Sequence, residues 1–487
     1  MTVRRTLAGV AVTLVALVPA ASLNAEPASK QNRPNIIVIE TDDQTQASLA
    51  YMPKTRALLG AQGVTFDNSF ATFALCCPSR ATFLTGQYAH TNGVLGNRPP
   101  SGGYEVFKAK HATNNLAVWL QRAGYHTALV GKFLNGYGRP DQAEVPPGWS
   151  EWHGGVNLSV LGGTMNDNGT VHTLPATEAY YQTDVFSRTA QEIIRRRAPA
   201  TQPFFIWLTP HVPHTAGPRD DDDPRGVGTT RPPARYKNRF SQLSLPAPPS
   251  FNEADVSDKP EGIRNRAPLG SEQIAGLREA YQQALEANLG VDDMVGAVVQ
   301  RLRSVRELEN TLIIYTSDNG FFYGEHRVPQ GKVLLYEPSI RVPLIVRGPG
   351  VPRNLHLAQL AGNIDLAPTI VEAARAKAGL VMDGRSLYGL FRSPKLTWER
   401  ALVIERGEEG GGNRRRPGRN QTFVALRTPE YKYAQYANGE QELYDLVRDP
   451  YELQSRHNDP AYEAIRAKLA ARLSALKNCA GAVCWQK

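Results

Sequence analysis

Three short runs along the chain are apolar almost throughout: Asn35–Glu40 (NIIVIE), Phe204–Leu208 (FFIWL) and Leu312–Tyr315 (LIIY). Tyr125–Val130 (YHTALV) reads as a fourth. A half-exposed strand would alternate polar and apolar residues, so continuous runs of this length predict strands covered on both faces. Between them the period changes. Leu116, Trp119, Leu120 and Ala123 follow helical spacing, with Asn114 or Asn115 as a cap and Gly124 as a stop. Ile274, Leu277, Tyr281 and Leu285 mark one helix face, and Val291, Val295, Val298 and Leu302 mark a continuation or a second helix. Strands alternating with helices predict an α/β fold: a mixed, mostly parallel sheet sandwiched by helices. The Pro- and Asp-rich stretch Gly217–Gly262 reads as a long surface excursion, and its acid run Asp220–Asp223 as a solvated loop or a cation holder. After about Lys377 the pattern shortens. Gln421–Leu426 and Tyr431–Tyr436 alternate, and a helix follows near Tyr462–Leu476. This predicts a larger domain over 33–378 and a smaller C-terminal α+β domain over 379–487, with a small antiparallel sheet and a terminal helix.

The first 25 residues stand apart from the fold. Arg4 and Arg5 precede an apolar stretch from Leu7 to Ala20, and small residues surround Ala20, Ala21 and Ala25. That is the pattern of a secretory signal peptide over 1–25, by a Sec or a twin-arginine route. The stretch is shorter than the ~20 residues a membrane span needs. No second segment of spanning length occurs, so the expected mature protein is secreted, periplasmic or extracellular, with no integral membrane segment. The 487-residue chain has 55 Lys+Arg against 46 Asp+Glu, a net charge of +9, and loss of residues 1–25 leaves +7. Such a surface attracts anions, but no Lys/Arg stripe with interleaved aromatics suggests nucleic acid. Arg414, Arg415, Arg416 and Arg419, in and beside the Gly-rich run Gly410–Gly418, read as a solvated loop or a polyanion contact. Four cysteines are too few for a disulfide scaffold. Cys479 and Cys484 would pair in an exported protein, whereas the adjacent Cys76 and Cys77 need another explanation.

In sheets of this kind, ligands bind beyond the carboxyl ends of the strands. The four runs end in Thr41-Asp42-Asp43-Gln44, Gly131-Lys132, Thr209-Pro210-His211-Val212-Pro213-His214 and Thr316-Ser317-Asp318-Asn319-Gly320. If the four strands are parallel, these groups share one rim. Asp42, Asp43, Asp318 and Asn319 are oxygen donors of the kind Ca²⁺ or Mg²⁺ prefers, and adjacent carboxylates repel unless a cation bridges them. Turn formation and capping are the alternative role for these residues. In Cys76-Cys77-Pro78-Ser79-Arg80-Ala81-Thr82-Phe83-Leu84-Thr85-Gly86, Pro78 and Gly86 frame a short helix. Cys76 then lies just before a helix N-terminus, which favours an anion, and Arg80 is one turn in.

Cys-x-Pro-Ser-Arg followed by Leu-Thr-Gly resembles the signature of the type I sulfatases. The resemblance runs from about Arg33 to the end. It includes TDDQ, GKFLNGYG, TSDNG, Leu335–Gly350 (LYEPSIRVPLIVRGPG), Asn363–Thr369 and Glu442–Pro450 (ELYDLVRDP). Within the family it is most similar to N-acetylglucosamine-6-sulfatases and extracellular heparan endosulfatases. The resemblance implies an alkaline-phosphatase-like fold and oxidation of Cys76 to formylglycine by a formylglycine-generating enzyme. Hydrated, that aldehyde is a geminal diol: one hydroxyl attacks sulfur, and the other then loses its proton so that sulfate is expelled. The resemblance also implies Ca²⁺ held by Asp42, Asp43, Asp318 and Asn319 and touching residue 76, with Mg²⁺ as the alternative. Lys132 and Lys332 match the sulfate-binding lysines. Arg80 would position the diol. His214 matches the histidine that protonates the leaving oxygen, while His211 and His326 are further substrate-binding candidates. One position departs from the pattern: many members read Gly-Lys-Trp-His where this chain has Gly131-Lys132-Phe133-Leu134-Asn135, so the usual histidine is Leu134. The implied substrate is a sulfated carbohydrate, N-acetylglucosamine-6-sulfate-like, or an aryl sulfate ester. A phosphonate or phosphate monoester hydrolase and an unmatured glycan-binding protein remain as alternatives.

Overall fold

The four apolar runs become neighbouring strands of one sheet, and they are parallel. Thr311–Ser317, Asn35–Thr41, Phe204–Thr209 and His126–Gly131 lie side by side in that order, with Val38 opposite both Ile314 and Trp207. The computed structural model describes residues 1–2, 33–199, 202–407 and 422–486. The signal-peptide reading, apart from its first two residues, and the basic cluster Arg414–Arg416 with Arg419 lie outside the described residues. Among the described residues the sheet has ten strands. Glu151–Leu158 adds in parallel beyond His126–Gly131, and Gly163–Asp167 and Thr170–Leu174 continue antiparallel. On the other side Leu344–Arg347 runs antiparallel to Thr311–Ser317, followed by Val64–Phe66 and Leu355–Leu357.

Both faces of the central strands are dry, as their composition requires. Ile36, Val38, Leu129, Phe205, Trp207, Leu312 and Ile314 point to one face, where the Cys76–Thr85, Leu116–Arg122 and Leu366–Ala374 helices pack. Ile37, Ile39, Val130, Ile206, Leu208 and Ile313 point to the other, against Gln182–Arg197 and Ser271–Ser304. The two helical patterns around Leu285 and Val291 are one helix of 34 residues: Gly290 between them is only a weak breaker inside a helix and is buried beside Pro233 and Tyr181. Asn115 is the cap of the Leu116–Arg122 helix, accepting from the N–H groups of Ala117 and Val118. The Gly217–Gly262 excursion holds only the short turns Ala234–Tyr236 and Glu261–Arg264. Two acids of its run are paired within the protein, Asp220 with Arg231 and Lys237, and Asp223 with Thr229 and Gln283.

Leu402–Arg406, Phe423–Arg427, Tyr431–Tyr436 and Gln441–Asp445 form a second, antiparallel sheet in sequence order. Leu469, Leu473 and Leu476 of the Glu463–Leu476 helix cover one face of it. Leu402, Ile404, Phe423 and Ala434 on the other face share a core with Phe70 and Ile340. Arg33–Lys487 form one compact unit. Cys479 and Cys484 are joined in a disulfide, and no described helix is long and apolar enough to cross a membrane.

Candidate active site

The parallel register carries the polar strand ends to one rim. Asp42 extends the central strand by one more bridge, to Pro213, beside His214. Asp318 N–H donates to the Thr41 carbonyl at 3.0 Å, which locks the two acidic ends together. Gly131 has φ +119°, and a Cβ there would lie 2.2 Å from the Thr209 carbonyl oxygen. Glycine is therefore required at the bend that sends Lys132 toward Asp42.

The Cys76–Thr85 helix meets this rim with its N-terminus. Leu75 is the N-cap and Gly86, at φ +67°, closes the other end. The helix begins two residues earlier than the Pro78 start expected from sequence, so Cys76 is its first residue. Asn97 explains the difference: its carboxamide oxygen accepts from Cys77 N–H at 2.9 Å, a bond that caps the extra turn. Every residue of this helix is buried.

Around Cys76 the side chains form one charged network. Cys76 Sγ is 3.6 Å from Asp42 Oδ1 and 3.0 Å from Lys332 Nζ. Lys132 Nζ donates to Asp42, and Lys332 Nζ donates to Asp43. Arg80 Nε donates to Asp318 Oδ2 at 2.8 Å, and its Nη1 and Nη2 lie 3.7 Å from Glu40 and 3.6 Å from Asp42. Asn319 Nδ2 donates to Asp43 Oδ1 at 2.5 Å. His214 Nε2 is 3.7 Å from Asp43 Oδ2, and its ring stacks on His211 at 4.7 Å. Ser79 Oγ donates to the Asp318 carbonyl and accepts from Asn363 Nδ2 at 2.8 Å, fixing the helix to the strand end.

Carboxylate oxygens of Asp42, Asp43 and Asp318 lie within 4.8 Å of one another. Asn319 Oδ1 is buried and accepts no hydrogen bond. A buried acceptor without a donor is costly, and the same carboxamide touches the cluster through Nδ2; three clustered carboxylates with a carboxamide beside them are donors of the kind a hard divalent cation takes. The residues present therefore fit such an ion. Charge shapes each group. Burial alone would raise the Asp42 carboxyl, but Lys132, His214, Lys332 and Arg80 hold it well below the usual carboxylate range. Burial and Asp42 push the Asp318 carboxyl up against the opposing Arg80 and lysines. Burial takes Glu40 up to about 7 although Arg80 opposes it. Burial, aided by Asp42, pushes the Cys76 thiol up to about 12 in spite of Lys132 and Lys332. His211 falls well below the usual histidine range through burial and the nearby His214 and Lys132.

Cys76, Arg80, Lys132, Lys332, His214, Asp42, Asp43, Asp318 and Asn319 thus come together, with His211 in the wall behind His214. His326 does not join them: its Nδ1 bonds Glu253 at 2.6 Å and its ring stacks on Tyr336. Leu134, at the departure from the usual motif, is buried in the apolar core. Glu40 and Asn97 are the contributors that sequence reasoning missed. Glu40 had a signal, an acid ending a buried run and receiving Trp207 Nε1 at 2.9 Å; Asn97 had none.

Residues 34–376 match the family description Sulfatase, and residues 324–479 match N-sulphoglucosamine sulphohydrolase, C-terminal. The chain is 32% identical to an N-acetylglucosamine-6-sulfatase of Capra hircus over 94% of its length and 86% of that protein. It is 33% identical to a putative extracellular sulfatase Sulf-1 homolog of Caenorhabditis elegans, over 77% of this chain and 52% of that one. A solved structure in complex with its substrate D-glucosamine-2-N,6-O-disulfate superimposes with a TM-score of 0.74 at 22% identity, over 91% of this chain and 97% of the other.

Proposed function

The chain belongs to the sulfatase family of sulfuric ester hydrolases, and from that premise we propose that it is an exported enzyme removing the 6-sulfate of N-acetylglucosamine-like sugars, with residue 76 oxidised to formylglycine. The substrate class is drawn from the relatives named as N-acetylglucosamine-6-sulfatases and from the glucosamine disulfate bound by the structural neighbour. Export is drawn from the apolar stretch Leu7–Ala20 and from the relative named as extracellular.

One observation carries the chemistry. Cys76 opens a buried helix with an ammonium group 3.0 Å and a carboxylate 3.6 Å from its sulfur. Burial and Asp42 push the thiol up, and a thiol offers no second hydroxyl for releasing sulfate. Oxidised and hydrated, residue 76 supplies a nucleophilic oxygen and a second hydroxyl through which sulfate can leave. Asp42, Asp43, Asp318 and Asn319 would hold Ca²⁺, with Mg²⁺ as the second choice, and a hard cation there offsets charge on the sulfate oxygens. Lys132 and Lys332 bring two further positive charges to those oxygens. Arg80 holds Asp318 and the first turn of the helix in register. His214, partly exposed beside Asp43, donates a proton to the departing sugar oxygen. The buried Leu134 offers no base.

The test is hydrolysis of N-acetylglucosamine-6-sulfate by protein made with a formylglycine-generating enzyme and supplied with Ca²⁺. Hydrolysis of this sugar sulfate well above that of a matched phosphonate monoester, each followed by its released alcohol, is the expected result. A preference for the phosphonate would replace the reading with its nearest alternative. A Cys76 peptide of unshifted mass in protein co-produced with that enzyme, without turnover of either ester, would leave an unmatured glycan-binding protein.

A further inference from the structure

Lys332 reaches Asp43 and Cys76 from a loop of unusual backbone. Gly331 has φ +134° and Val333 φ +80°. A β-branched residue in that region is strained, so the loop is held by its surroundings rather than by its own preference. One anchor is backbone: Phe322 N–H donates to the Gly331 carbonyl at 2.8 Å, three residues beyond Asn319. The other is a side chain. Gln330 Oε1 accepts from Gly228 N–H at 2.7 Å, and Gln330 Nε2 donates to the Gly228 carbonyl at 2.8 Å. A carboxamide is one donor and one acceptor on a single plane, so it closes both bonds with one residue.

Gly228 belongs to the Gly217–Gly262 excursion and is itself tied down. Its neighbour Thr229 donates to Asp223 Oδ2 at 2.9 Å, and Gln283 of the Ser271–Ser304 helix donates to Asp223 Oδ1 at 2.6 Å. A Cβ at Gly228 would lie 2.8 Å from the Thr215 side chain, next to His214. A hydrogen-bonded path therefore runs from the long helix through Asp223, Thr229 and Gly228 to Gln330. It accounts for an acidic excursion that the reaction itself does not use.

We propose that Gln330 is a positioning residue for Lys332, and that the excursion, through Gly228, is the support fixing that ammonium where sulfate binds. This rests on the reading of Lys332 as a sulfate ligand. Gln330→Met keeps the length of the side chain and loses both bonds. Gln330→Asn keeps the polarity and falls one methylene short. Each should raise KM for the sulfate ester about tenfold with kcat changed less than about threefold, since a charge bound equally in ground and transition states acts on KM. Melting midpoints should stay within about 2 °C of wild type, as for other partly exposed substitutions. Lys332→Ala should raise KM more, and Gln330→Met added to Lys332→Ala should cost nothing further, because the two act through one ammonium. Penalties that multiply in the double variant, or a wild-type KM in both Gln330 variants, would overturn the proposal. Wild-type kinetics in Lys332→Ala would instead overturn the reading of Lys332 on which it rests.

Discussion

Asn319→Ala separates the cation site from the rest of the network. The carboxamide makes two bonds through Nδ2, to Asp43 Oδ1 at 2.5 Å and to the Gly320 carbonyl at 2.9 Å, and none through Oδ1. Loss of the two bonds costs about 1–3 kcal/mol of stability whether or not a cation is bound. Loss of Oδ1 relieves an unsatisfied buried acceptor in the cation-free protein, offsetting part of that cost, and removes a ligand when the cation is there. Removing one oxygen ligand is taken to weaken the site about a hundredfold, or ~2.8 kcal/mol at 1.4 kcal/mol per decade. At a Ca²⁺ concentration a thousand times the wild-type Kd, linkage stabilises the native protein by about 4 kcal/mol, and by only ~1.4 kcal/mol after a hundredfold loss. For a chain of this size a kcal/mol is about 1 °C in Tm. Calorimetry with and without saturating Ca²⁺ should therefore show a rise of about 4 °C for wild type and about 1–2 °C for Asn319→Ala, on top of a lower cation-free Tm. Equal rises in the two proteins would refute the assignment of Asn319 Oδ1 as a ligand.

Two further outcomes follow from the geometry. If His214 protonates the leaving oxygen, His214→Ala should lower kcat/KM about 10²–10³-fold on a sugar sulfate, whose alkoxide needs the proton, and less than about tenfold on a nitrophenyl sulfate, whose phenoxide does not; equal losses on both would remove that role. Away from the site, His153 bonds Asp167 Oδ1 at 2.7 Å and Glu151 Oε1 at 2.9 Å. Burial opposes its charge, but those carboxylates outweigh burial and raise it to about 9. The stabilisation is whole below pH ~6.5 and is lost as pH rises through about 9. It is worth at most about 3 kcal/mol, less because Asp167 is over a third exposed. Denaturant melts of His153→Gln should lack this alkaline decline, and an unchanged pH profile would count against the charged histidine.

The sheet was legible where burial writes directly into sequence. NIIVIE and its three companions are strands covered on both faces. Their parallel order then brought Asp42, Lys132, His214 and Asp318 to one rim without further information. Elements held by non-local contacts were not legible. Leu344–Arg347 enters the sheet antiparallel between Thr311–Ser317, the preceding strand, and Val64–Phe66, a partner near the other end of the chain that no local pattern announces. The start of the Cys76–Thr85 helix depends on Asn97, which is distant in sequence and carries no pattern. His326 sits in a familiar-looking Gly-Glu-His run, yet its partners are Glu253 and Tyr336. The acid run Asp220–Asp223 fits a cation holder by composition alone, and Arg231, Lys237, Thr229 and Gln283 decide otherwise.

The proposed chemistry requires residue 76 to be an aldehyde in the working enzyme. Mass spectrometry of the tryptic peptide that ends at Arg80, taken from protein of known specific activity, reads this directly. Replacement of the thiol by a carbonyl makes the peptide about 18 Da lighter, and the lighter fraction should rise in proportion to sulfate release. Full sulfatase activity in protein whose peptide carries only the unmodified cysteine mass would contradict the account.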